Sequence, residues 1–282
     1  MRDTRKVLAA AVAVLLLTAV PGVVFAEQHE EKATPTYTMI HHEEVGPANA
    51  SAYEENSKAW VAAFKEAGAG EEWAWRTYAG PNFNYAFLTD VPNYAYLDGD
   101  DERWAAMVEI IGKETIDALS ADGGGATGHR HELTKDLPEY DYTPEGGMGE
   151  VGFVHLATHS VKPGMGEQYK ALVAKVTEAR NKVGGGLAVR VSQVAFGHGS
   201  YQFAVLAKDA ATYYSATSVG AILTEAYGPE ESQKMFADWR ECITDFETSD
   251  WRFEPELSYM PGMYEHEHEE MMDDEEEMGE GE

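Results

Sequence analysis

A single cysteine in 282 residues is the first scarcity of this chain. Cys242 has no partner for an internal disulfide, so the fold must be held by its core. It lies in the helical stretch Ser232 to Phe246, where it reads as a small buried hydrophobe rather than a nucleophile. Bases are the second scarcity: 21 Lys and Arg stand against 50 Asp and Glu, a formal net charge of −29. A surface this acidic argues against nucleic acid or an anionic lipid face as partner, because phosphate neutralisation needs cations. Recognised catalytic signatures are also missing. There is no HExxH, no paired CxxC and no GxSxG. The glycines from Gly123 to Gly128 are not followed by Gly-Lys-Ser/Thr, so they are not a phosphate loop. Long apolar runs are confined to the N-terminus. Arg2, Arg5 and Lys6 precede the run Val7 to Val20, and Val24-Phe25-Ala26 closes it with a small-residue cleavage pattern. Residues 1–26 therefore read as a signal peptide of bacterial type, with a retained anchor as the alternative. The mature chain is expected in the periplasm or outside the cell, with no membrane contact after cleavage. No cysteine follows the run, so a lipoprotein anchor is excluded.

What the chain has is self-similarity. At an offset of 116 residues, Val45, Pro47 and Tyr53 fall on Val161, Pro163 and Tyr169, and Tyr85 and Phe87 on Tyr201 and Phe203. Glu109, Gly112 and Glu114 fall on Glu225, Gly228 and Glu230. After a one-residue slip, Pro138, Tyr142 and Pro144 meet Pro255, Tyr259 and Pro261. Only 16 of 78 pairs between 45–122 and 161–238 are identical, but they are punctuation, aromatics and acids in the same order. A period of this size means two copies of a small domain. The boundaries that follow are a polar leader at 27–36, repeat one at 37–144, a Gly-rich linker at 145–150, repeat two at 151–261, and an acidic, disordered tail at 262–282.

Repeat two reads most cleanly. Gly152 to Val161 alternates as a strand, and Pro163-Gly164 breaks it. Tyr169, Leu172, Val173, Val176, Ala179 and Val183 keep helical spacing up to Gly184. Leu187 to Phe196 and Tyr201 to Leu206 make a hairpin around Gly197-His198-Gly199. Asp209 to Tyr227 and Glu230 to Thr244 read as helices, and Trp251-Arg252-Phe253 starts a last strand. Repeat one gives the same order, β-α-β-β-α-α-β, which is the ferredoxin-like arrangement. The expected fold is α+β: two tandem ferredoxin-like repeats packed sheet to sheet as an intramolecular barrel, with a cavity between the sheets.

On Val161-Lys162-Pro163-Gly164, Tyr169 in the following helix, and Tyr201-Gln202-Phe203, the chain resembles the dimeric α+β barrel superfamily. NIPSNAP proteins and antibiotic-biosynthesis monooxygenases are the members most alike. Repeat one departs from this pattern, with Pro47-Ala48 in place of Pro163-Gly164. The resemblance implies a pseudo-dimer within one chain, as a monomer or a higher oligomer. It settles no reaction, since the fold hosts oxygenases, haem enzymes and proteins of unknown role. No motif indicates a cofactor, and haem enters by fold analogy only.

Candidate site residues come from the first strands. His41 and Glu43 share one strand face, and His155 and His159 share the equivalent face. If these faces line the inter-sheet cavity, the four side chains meet there and suit proton transfer or metal binding. Trp75 and Tyr85, in an aromatic hairpin, and Tyr201 are candidates for lining a pocket for a flat apolar ligand. Arg130, in the loop after the glycines, would greet an anion at the cavity mouth as part of a lid. His266 and His268 in the tail offer at most weak metal binding. Three functions stay open: an exported protein holding a small apolar ligand or partner, an enzyme of monooxygenase or haem type in the same cavity, or a structural assembly module.

Overall fold

The computed structural model describes residues 37–121, 125–197 and 199–262. Residues 1–36, read above as signal peptide and leader, and residues 263–282 with His266 and His268 lie outside the described residues. Among the described residues no helix is long and apolar enough to cross a membrane.

In chain order the regular elements are β1 (Tyr37–Val45), α1 (Ala50–Ala67), β2 (Arg76–Ala79), β3 (Asn84–Val91), α2 (Ala95–Asp98), α3 (Asp100–Ile111), α4 (Lys113–Ala121) and β4 (Ala126–Asp136). The second half follows with β5 (Phe153–Val161), α5 (Gly166–Val183), β6 (Ala188–Val194), β7 (Ser200–Ala207), α6 (Ala210–Ser215), α7 (Val219–Tyr227), α8 (Pro229–Cys242) and β8 (Ile243–Phe253). Shifted by 116 residues, β1 lands on β5, α1 on α5 and β3 on β7, end for end. Shifted by 117, β4 lands on β8.

All eight strands are antiparallel to their neighbours and close into one barrel, in the order β1-β3-β2-β8-β5-β7-β6-β4. Each half contributes four adjacent strands in the same internal order, 4-1-3-2. The halves meet edge to edge, where β2 pairs with β8 and β4 with β6. Closure leaves no free sheet edge.

The faces of this ring follow from strand alternation. On β1 and β5 the odd-numbered residues point outward, toward the helices. Val45 packs with Tyr53 of α1, and His155, Ala157 and His159 face α5. The even-numbered ones point inward. Side chains reach across the interior. The ring of His42 on β1 lies 6.0 Å from Trp251 on β8, and Gln202 on β7 donates to Glu132 on β4 at 2.5 Å. The two hollows described below lie outside the ring, under the helices, rather than between two facing sheets as expected.

Two helices show why the sequence folds as it does. Tyr169, Val173 and Ala179 of α5 are buried on one stripe, and Gly184 ends the helix in the left-handed region at φ 69°. The stretch Asp209 to Tyr227, which reads as one helix, is two. Asp209 caps α6 by accepting from Thr212 N at 2.7 Å, and Ser218 caps α7 by accepting from Ala221 N at 3.3 Å. A side chain that offers the backbone such a bond competes with helix continuation. The extended residues between the two helices become part of a cavity wall.

After its last strand, each half sends a short tail across to the other. Residues 137–142 run along β6: Leu137 N donates to Val191 O at 2.8 Å, and Tyr142 and Val189 exchange backbone bonds at 3.0 and 2.8 Å. Residues 254–259 run along the first half: Glu254 N donates to Thr77 O at 2.9 Å, and Trp75 and Tyr259 exchange bonds at 2.8 and 3.0 Å. Leu137 and Tyr142 sit in the core of the second half, and Tyr259 in that of the first.

Candidate functional site

A hollow of about 490 Å³ lies in the second half, between the outward face of its sheet and helices α5, α7 and α8. That is within the usual ~300–1,000 Å³ for small-molecule sites. β5 supplies His155, Ala157 and His159, β7 supplies Phe203 and Val205, and α5 supplies the stripe from Tyr169 to Arg180. Ala216, Thr217 and Ser218, where the helical stretch breaks, close part of the wall.

His159 is buried at 8 % exposure, its ring 4.7 Å from Phe203, 4.8 Å from Trp239 and 5.1 Å from Phe246. Burial disfavours the imidazolium and pulls its pKa down to about 4. Its Nδ1 lies 2.5 Å from the Tyr169 hydroxyl. With the Tyr169 hydroxyl as donor to Nδ1, a neutral ring carries its proton on Nε2 and is a donor there.

His155 is set for the opposite role. Its Nδ1 lies 2.7 Å from Asp250 Oδ1, and its ring stacks on Tyr213 at 4.5 Å. Tyr214 donates to the other Asp250 oxygen at 2.6 Å. These two bonds, and the charge of His155, hold the Asp250 carboxyl below its ordinary range against the opposing effect of burial. A carboxylate on Nδ1 fixes the tautomer with a lone pair on Nε2, which is the arrangement of a general base. Among the described residues the one Lys or Arg on the wall is Arg180, three turns along α5 from Tyr169.

The other expected site residues are elsewhere. β1 and β5 stand four places apart in a ring of eight, so His41 and Glu43 point outward on the side opposite His155 and His159, and the four do not meet. His41 instead joins a chain in the first half: Nδ1 is 3.0 Å from His131 Nε2, Nε2 is 2.8 Å from Glu43 Oε1, and Tyr53 donates to Glu43. Trp75 packs edge-on against Phe64 at 5.0 Å and donates to Leu257 O at 2.8 Å. Trp75 also borders a more open hollow of about 470 Å³ in the first half. Tyr85 is buried, with its hydroxyl on Glu54 at 2.7 Å. Tyr201 is buried behind Tyr169, ring to ring at 4.9 Å, and does not reach the cavity wall. Arg130 is not on a lid. It lies within β4, opposite His42, and pairs with Glu132 at 3.5 Å. Cys242 is fully buried. Among the described residues no group of three His, Cys, Asp or Glu side chains is placed to hold a metal ion.

Sequence reasoning passed over Arg180, Asp250, Trp239 and the Tyr213–Tyr214 pair. Arg180 had a signal: it interrupts the apolar stripe of α5 four residues after Val176. Asp250 had none, because its meaning depends on the pairing of β5 with β8, which puts it opposite His155.

Among solved structures, the chain superposes on a protein of Fusobacterium nucleatum provisionally named a monooxygenase. The TM-score is 0.50 and the identity 11 %, over 79 % of this chain and 93 % of that one. The fold is the dimeric α+β barrel. A protein of Lactobacillus acidophilus, also provisionally named a monooxygenase, gives a TM-score of 0.49 at 10 % identity, over 81 % and 97 %. A chlorite dismutase variant from Candidatus Nitrospira defluvii gives 0.48 at 10 %, over 79 % and 92 %. No family model matches the chain, and no curated protein matches it. At such identities the likeness is one of fold, and the dimeric α+β barrel here is completed within a single chain by its two halves.

Proposed function

We propose that this chain binds a flat, largely apolar small molecule in the cavity beneath α5, and that its halves are two copies of one ferredoxin-like unit, of which the second holds the site. The observation behind this reading is the cavity itself: about 490 Å³, walled mainly by aliphatic and aromatic side chains, with polar groups only at a few points. Ala157 stands mid-strand between the two histidines, so a larger side chain there projects into the space. Ala157→Phe is expected to abolish saturable binding of 9-anthracenemethanol, followed by quenching of Trp239 fluorescence, while leaving the chain folded. No saturable binding by the wild-type protein would overturn the reading.

The His155–Asp250 pair supports a second reading, an oxygenase that takes a proton from its bound substrate. His155 Nε2 accepts the proton, Asp250 stabilises the imidazolium, and the apolar walls keep water from the carbanion or phenolate left behind. Asp250→Asn is expected to slow oxygen uptake with an activated phenol by about 100-fold or more, by disturbing tautomer and charge together. Unchanged uptake would count against the base. The donor chemistry also fits haem: an imidazole with one nitrogen free and the other bonded to a carboxylate would suit binding its iron. His155 would hold it, and haem would supply oxygen or peroxide chemistry. A Soret band lost in His155→Ala would mark that case, and a colourless protein the cofactor-free one.

A further inference from the structure

The cavity wall carries a guanidinium. In a chain with 50 acids and 21 bases, no Asp or Glu is among the described residues that line it, Arg180 is the one Lys or Arg there, and the nearest carboxylate established at this end, Asp250, is engaged by His155 and Tyr214. The remaining titratable groups on the wall are His155, His159 and tyrosines. Among the described residues Arg180 has no carboxylate partner. Its bonds are one long contact to Leu187 O at 3.4 Å and the ring of Tyr142 at 5.7 Å. Arg180 is held in place all the same. Gly186, at φ 94°, is bare on the side facing it: a Cβ there would lie 2.9 Å from Arg180 Nη1 and 3.0 Å from Ile222 Cδ1. Burial pulls the pKa of Arg180 down, yet a guanidinium remains charged at any ordinary pH. Arg180 is half-buried, and a ligand that brings an anion to a partly desolvated guanidinium gains a charge-assisted bond.

Strand register locates Arg180 within the cavity. Val189, Val205 and His155 stand level across β6, β7 and β5, and Arg180 bonds to Leu187, two residues before Val189. Arg180 is thus at the His155 end. Tyr169 and His159 are at the other end, eleven residues back along α5, or about 16 Å. Between them lie Phe203, Val176 and Leu172.

Resting on the cavity as the binding site, we infer that its ligand is an apolar monocarboxylic acid, with the carboxylate on Arg180 and the apolar body lying along the sheet toward Trp239. Fluorescence titration of the full chain with three probes of one shape tests this: 9-anthracenecarboxylate, its methyl ester and 9-anthracenemethanol. The carboxylate is expected to bind wild-type protein about tenfold or more tighter than the ester or the alcohol. Arg180→Gln should erase that preference and leave the alcohol's affinity unchanged, which also reports that the cavity is intact. Arg180→Lys should retain part of it. Equal binding of all three probes by wild-type protein would overturn the inference while leaving the cavity a binding site. So would a preference that survives Arg180→Gln. If none of the probes binds wild-type protein, the cavity reading falls and this inference with it. The wild-type comparison needs no variant, so it decides even if Arg180→Gln fails to fold.

Discussion

Tyr259→Ala will cost about 3–5 kcal/mol, the usual range for truncating a buried aromatic, and will loosen both halves of the barrel together. Tyr259 is 2 % exposed. Its ring lies 5.4 Å from both Phe64 and Trp75, and its hydroxyl donates to Ala69 O. The residue belongs in sequence to the second half, yet every one of these partners is in the first. Around it, Ser258 Oγ accepts from Thr77 N at 2.8 Å, and Leu257 O accepts from Trp75 Nε1 at 2.8 Å. Removing the ring opens a cavity, strips a buried carbonyl of its donor, and frees the tail that ties β8 to β2. The reverse tie, Tyr142 on β6, then has less to hold. Urea unfolding followed by circular dichroism should show one transition at a lower midpoint with an unchanged slope. A loss below about 1 kcal/mol, or two separate transitions, would mean that the tails are ornaments on independent halves.

Those tails were legible as a pattern but not as a structure. The match of Pro138, Tyr142 and Pro144 to Pro255, Tyr259 and Pro261 marks equivalent segments, and says nothing of which half each segment joins. The helices α1 and α5 were legible because one stripe of each is buried and writes its period into the sequence, and β5 because Pro163-Gly164 ends its apolar alternation. β8 was read as starting at Trp251 and begins at Ile243. Its run Thr244-Asp245-Phe246-Glu247-Thr248 is mostly exposed, as is the first part of β4, so no apolar alternation betrays either strand. Hydrogen bonding to β5 and β1 makes them strands, and pairing is not written in composition. The same limit applied to the site. His155 and His159 were visible as a period-two pair on a strand. That they face helices rather than a second sheet depends on how the ring closes, which no local segment determines. His41 and Glu43 failed as partners for that reason alone: equivalent positions in two halves of one ring point away from each other.

Acid will destabilise the protein between about pH 6.5 and 4, and two histidines will set the slope. His42 inside the ring and His159 in the cavity wall are each 8 % exposed, and each has its pKa pulled down to about 4, by burial first and, for His42, by Arg130 and His41 as well. An unfolded histidine titrates near 6.5. As pH falls through that window the unfolded chain takes up these two protons and the folded chain does not, so the equilibrium shifts toward unfolding. Each histidine contributes about 3 kcal/mol across the window. Asp136 acts in the opposite sense. Burial and the neighbouring Asp90 and Asp141 raise it to about 6, so its folded form takes up a proton before the unfolded form does. That returns roughly one histidine's worth on the way down. The easing of repulsion in so acidic a chain also favours the folded state as pH falls, but it is common to wild type and single variants and cancels in their difference. His159→Gln keeps an acceptor for the Tyr169 hydroxyl and removes the titration. The stability gap between wild type and His159→Gln should therefore shift by about 3 kcal/mol in favour of the variant between pH 7 and pH 4. Asp136→Asn should shift the other way, gaining on wild type at neutral pH and losing that gain in acid. A His159→Gln gap that stays constant across this range would mean that the imidazole is wet, and that the cavity wall around it is open to water.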